Sequence, residues 1–136
     1  MPVVAPSVAL KWVVEEEGSD AASALANESL SSPSMIVAEC ASALWAKALR
    51  REITAAEVLE RLVLLRTAPV LLVPLEDLVE DATRLAVMLE QPVFDCLYLA
   101  LAVREKTRLI TADRQFARVV RGDPVLSSHV QLLGEP

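Results

Sequence analysis

The chain has few of the residues that soft metal sites and disulfide frameworks require. Its 136 residues include one histidine, His129, and two cysteines, Cys40 and Cys96. A single histidine excludes a His-Glu-x-x-His zinc site and any histidine-rich metal site, so a metal here would have to be held by oxygen. Two cysteines with no CxxC spacing are too few to staple a domain of this length and read as small cytosolic hydrophobes. Three glycines leave no glycine-rich phosphate loop, which argues against a phosphoryl-transfer or receiver-type domain. No apolar run approaches the roughly 20 residues of a bilayer span, and the N-terminus lacks the basic, apolar, small-residue layout of a signal peptide. A soluble cytoplasmic protein without a membrane partner is expected. Positive charge is also short, with 13 Lys and Arg against 19 Asp and Glu for a net charge of −6. That balance argues against broad, charge-driven binding to nucleic acid but leaves room for RNA held locally. The cations are clustered at Lys47, Arg50 and Arg51, and again from Arg104 through Lys106, Arg108, Arg114 and Arg118 to Arg121. A solvated helix face is the plainer reading of both clusters.

At 54% hydrophobic, the chain can bury the core of one domain spanning residues 1–136. A β-prone stretch, Pro2 to Val4, feeds a helical pattern that begins near Ser7 and carries Val8, Leu10, Trp12 and Val13. Gly18 and Ser19 break it, and residues Asp20 to Leu30 read as a second short helix. Ser31-Ser32-Pro33-Ser34 reads as a turn or short strand before a strong helix from Met35 to about Arg51, with Ser34 as its expected N-cap. Thr54 followed by Glu57 fits a capping box opening a helix to Arg66. Val70 to Val73 is wholly apolar and bounded by prolines, the pattern of a strand buried on both faces. Further helices are expected from about Glu76 to Glu90, from Asp95 through Glu105 and from Arg114 to Arg121. Strands are expected at Arg108 to Thr111 and around His129 to Leu132. Strands alternating with helices point to a three-layer α/β/α sandwich around a mostly parallel sheet.

Function in an open parallel sheet gathers beyond the carboxyl ends of the strands. Ala5 and Asp113 both follow predicted strands, Asp95 opens a helix, and Glu39 lies about one turn into another. Glu39 has no cation within a turn of its own helix and needs a partner from elsewhere: a proton, a basic side chain or a metal. Asp95 is in the same position, with Tyr98, Leu99 and Ala102 on its face. Plainer readings exist, since Asp95 and Asp113 could be N-caps and Glu39 half-exposed. Three converging carboxylates suit a hard cation such as Mg²⁺ or Mn²⁺ at a phosphodiester.

Four segments then suggest a family. Val3 to Trp12 (VVAPSVALKW), Val37 to Trp45 (VAECASALW), Phe94 to Ala102 (FDCLYLALA) and Leu109 to Phe116 (LITADRQF) together resemble the PIN domain of VapC-type toxins, in order and over essentially the whole chain. The resemblance implies a Mg²⁺- or Mn²⁺-dependent endoribonuclease, the toxin half of a type II toxin–antitoxin pair, acting on RNA, usually dimeric and silenced by a cognate antitoxin. It places the family's acidic quartet at Ala5, Glu39, Asp95 and Asp113, with Ser7 and Thr111 as polar supports. Ala5 departs from the pattern, because a methyl group coordinates nothing. Impaired cleavage is expected, whether the chain is naturally degenerate or was substituted to silence a toxic enzyme; the intact flanking motif favours the second. The rival expectation is a non-catalytic PIN domain acting as a binding or regulatory module. Trp12, Leu62 and Leu65 are expected either to form an apolar surface for antitoxin or self-association, or to fill the core.

Overall fold

The computed structural model describes residues Met1–Pro136. The chain forms β1 (Val3–Val4), α1 (Pro6–Ala9) continued by a 3-10 turn at Leu10–Trp12, α2 (Ser19–Leu25), β2 (Leu30–Pro33), α3 (Ile36–Leu49) and α4 (Ala55–Leu65). There follow β3 (Val70–Val73), α5 (Val79–Leu89), α6 (Val93–Arg104), β4 (Leu109–Thr111), α7 (Arg114–Arg121) and β5 (Val130–Leu132). The five strands form one sheet in the order β3-β2-β1-β4-β5, and every neighbouring pair is parallel. The architecture is the expected α/β sandwich.

The strand order fixes the location of the cleft. From β1 the chain moves outward through β2 to β3, then returns so that β4 pairs with the opposite edge of β1, Val3 facing Leu109 and Val4 facing Ile110. Connections leaving β1 and β4 in opposite directions open a crevice above their carboxyl ends. The core runs directly beneath it: Val3, Val4, Leu109, Ile110 and Thr111 are all buried. Helix α6 is apolar around most of its circumference, with every residue from Cys96 to Ala102 buried. This composition suits a helix covered on all sides, and α6 packs on β1, β2, β4 and α5.

Local signals account for much of the rest. In the capping box of α4, Thr54 Oγ1 accepts the Glu57 amide at 3.2 Å, and Glu57 Oε1 accepts the Thr54 amide at 2.9 Å. Gly18 turns the chain into α2 with φ at 89°, a conformation that costs glycine little. Three expectations require correction, and a fourth has two alternatives of which one holds. Leu30 opens strand β2 instead of ending a helix, and Ser34 does not cap α3, whose N-cap position is Met35 with no side-chain bond. Strand β3 is not buried on both faces, because it lies at the sheet edge and leaves Leu71 57% and Leu72 42% exposed. Trp12 and Leu62 are half-buried against the core and Leu65 is buried, while Trp12 Nε1 donates to the Ala22 carbonyl at 2.7 Å. Exposed apolar side chains on these helices are instead Trp45 and Leu49 on α3 and Leu59, Val63 and Leu64 on α4, with others on β3, α5 and α6.

Candidate active site

At the end of β1, the Ala5 amide donates to the Ile110 carbonyl at 3.0 Å, and the Ala5 carbonyl accepts from Val8 and Ala9 at 3.0 and 3.1 Å. Position 5 is therefore pinned between the sheet and the start of α1. Pro6 follows as the first helical residue, where its missing amide hydrogen costs nothing. The turn after β4 is tied to α1 by two hydroxyls: Ser7 Oγ accepts the Ala112 amide at 3.0 Å and Thr111 Oγ1 accepts the Asp113 amide at 3.1 Å, with the two oxygens 3.4 Å apart. Asp113 caps α7, its Oδ1 accepting the Phe116 amide at 3.0 Å. Asp95 is not a cap. The N-cap position of α6 is Pro92, and Asp95 lies within the first turn without a capping bond.

These elements enclose a cleft of about 220 Å³ above the carboxyl ends of β1 and β4, lined by Ala5, Ser7, Glu39, Asp95, Thr111 and Asp113. The three carboxylates, distant in sequence, thus share one cleft with the Ala5 methyl. Tyr98 also lines the cleft. Only 2% exposed, it donates from its phenol to Glu39 Oε1 at 2.9 Å. Sequence reading placed Tyr98 on the face of Asp95 but missed its partner; the three-residue spacing from Asp95 to Tyr98 was the available signal.

Confinement sets the electrostatics of the cleft. Burial raises the Glu39 pKa; the Tyr98 hydrogen bond partly offsets it and the charge of Asp95 adds to it. Burial also raises Asp95, with the charge of Asp113 second and no hydrogen bond to counter either. Desolvation therefore outweighs mutual repulsion in both. The Tyr98 phenol is pushed well above its ordinary value by burial first and by Glu39 next, so it remains a donor. Burial, with the neighbouring acids, lifts the Cys40 thiol to about 12 and the Cys96 thiol to about 11. Neither supplies a thiolate at neutral pH.

The family model of the PIN domain matches residues 6–122. The chain belongs to the PIN domain family. PIN domains are typically metal-dependent nucleases, and in this one the acidic cleft lies within the matched span but for Ala5, just outside it. No curated protein matches the chain. The crystal structure of PAE2754 from Pyrobaculum aerophilum is similar to this PIN domain with a TM-score of 0.70, over 97% of this chain and 88% of that one. At 18% identity the likeness extends to the fold.

The oxygen donors of this PIN domain are of the class a hard divalent cation prefers, but their arrangement falls short of a metal centre. No group of three or more Asp, Glu, His or Cys is disposed to hold a metal ion. Glu39 commits one oxygen to Tyr98, Asp113 commits one to the Phe116 amide, and position 5 offers a methyl. As they stand, the residues do not fit a complete site.

Proposed function

We propose that this PIN domain is a VapC-type endoribonuclease, the toxin half of a type II toxin–antitoxin pair, whose cleavage of RNA is impaired because Ala5 stands where an acidic metal ligand belongs. The observation that carries the reading is the shared cleft: Ala5 borders the same 220 Å³ space as Glu39, Asp95 and Asp113. A carboxylate at position 5 would stand beside the three already present and bring the donor set toward what Mg²⁺ or Mn²⁺ requires. Glu39, Asp95 and Asp113 are the proposed metal-holding and catalytic acids, and Ser7 and Thr111 the supports that hold the β4–α7 turn.

The proposed partners are a cognate antitoxin and a second copy of the chain, with action in the cytoplasm. The apolar side chains exposed on α3 and α4 support the partner reading, since monomers seldom leave large apolar patches in water. No single helix is long and apolar enough to cross a membrane. The test is induced expression of the Ala5→Asp variant, with and without whatever reading frame adjoins its own. Growth arrest by the variant, tolerance of the parent chain and relief by the neighbouring product support the proposal; harmless expression of the variant counts against it.

A second reading is a non-catalytic PIN module. It is favoured by the same misfit, since no three acids are disposed around an ion and two of them have structural partners. RNA binding without cleavage by the Ala5→Asp variant would select it.

A further inference from the structure

The acidic cleft contains no cation of its own, so an RNA strand entering it must be held by positive charge at its border. The turn leaving β4 alternates in what it faces. Thr111 and Asp113 line the acidic cleft, while Ala112 and Arg114 line a second, adjoining cavity of about 380 Å³. Lys11 also lines the second cavity, but its ammonium is held by Glu16 at 3.1 Å and by the Glu17 carbonyl at 2.7 Å. Arg114 is therefore the uncommitted cation there, in a lining that also includes the acid Glu17.

Arg114 begins a basic ridge. Helix α7 buries Phe116, Ala117 and Val120 and leaves Arg114, Arg118 and Arg121 exposed. Arg121 is paired with Glu135, and Arg50, Arg61, Arg84 and Arg104 likewise have carboxylate partners; Arg51, Arg66 and Arg108 do not, but none of these three lines either cavity. Arg114 and Arg118 have no carboxylate partner. Four residues apart on one helix, they stand about 6 Å apart along its axis, and an unpaired guanidinium fork is well matched to phosphate oxygens.

We propose that a single RNA strand crossing the acidic cleft leaves it over the Ala112–Arg114 turn, with its next phosphates seated on Arg114 and Arg118. The inference rests on the RNA reading above and adds the direction of the strand and the residues that hold it. Contacts of this kind position a nucleic acid without reading its sequence. They also reconcile local RNA binding with a chain whose net charge is −6.

The test is fluorescence anisotropy with a labelled single-stranded RNA, in chelator so that the probe stays intact, over a salt series. The arms are the unsubstituted chain, R114Q/R118Q, and R50Q/R51Q as a control of equal charge change at the far end of α3. R114Q/R118Q is expected to bind about tenfold more weakly at low salt, with the slope of log K against log salt shallower by about 0.7 per lost contact. The control is expected to change affinity less than about twofold. Unchanged binding by R114Q/R118Q, or an equal loss in the control, overturns the ridge assignment alone. No binding by the unsubstituted chain overturns the RNA reading and the ridge with it.

Discussion

Tyr98 and Glu39 meet between helices α6 and α3 in a 2.9 Å hydrogen bond, the buried phenol donating to Glu39 Oε1. The bond meets the need of a half-buried carboxylate that has no cation within a turn of it on its own helix, and it restrains the Glu39 side chain in the cleft. Tyr98→Phe keeps the ring and its packing but removes the donor. We expect a loss of about 1–2 kcal/mol in urea denaturation and a further rise in the Glu39 pKa, read by NMR titration. An unchanged Glu39 titration would show that the contact does not persist in solution.

The raised pKa values of Glu39 and Asp95 give stability a defined pH dependence. Each carboxyl holds its proton to higher pH in the folded state than in the unfolded chain. Folding is therefore favoured on the acid side, and that contribution is lost as pH rises through the folded values. Glu57 has the opposite sign: Arg61 first and the Thr54 cap next hold it down to about 2, so its contribution is present above the ordinary carboxylate range and is lost in acid. The useful quantity is thus a difference. The stability of Asp95→Asn relative to the parent should grow from acid to neutral pH, and a flat difference would contradict the assignment.

Asp113 separates capping from chemistry. Asparagine caps as well as aspartate, whereas alanine does not. Asp113→Asn should retain parental stability to within a few tenths of a kcal/mol, while Asp113→Ala should lose about 1 kcal/mol. In the Ala5→Asp background both should lose cleavage. Cleavage surviving in Asp113→Asn would reduce Asp113 to a structural cap.

Restoring the acid at position 5 has a cost when no metal is added. Ala5 is only 6% exposed, and a fourth carboxylate there adds repulsion to desolvation. In chelator, Ala5→Asp should be less stable than the parent by roughly 1–3 kcal/mol. Added Mg²⁺ or Mn²⁺ should raise its melting temperature by mass action and leave that of the parent little changed. An equal response in the two proteins would contradict a role for position 5 in holding the ion.

Signals contained within a few residues were legible in the sequence. The Thr54–Glu57 capping box, the Asp113 cap and the alternation of strands with helices can each be read from short spans. Edge position cannot be read that way: Val70 to Val73 is as apolar as a central strand, and only the sheet order shows that nothing lies beyond it. Leu30 follows a helical stretch and reads locally as its end, although pairing with Val70 on β3 places it in the sheet. The three acids of the cleft were legible as candidates because each stands beside a strand end or a helix start. The Tyr98–Glu39 bond was not, since it joins residues 59 apart and depends on how α3 and α6 converge.

The most direct test of the central claim is the rate of RNA cleavage in Mg²⁺ or Mn²⁺, on structured and single-stranded RNA, for three proteins: the chain itself, Ala5→Asp, and Ala5→Asp with Asp95→Asn. The account predicts that Ala5→Asp exceeds the chain by at least about 10²-fold, that Asp95→Asn removes the gain, and that chelator abolishes it. Equal, chelator-insensitive rates in all three would contradict it.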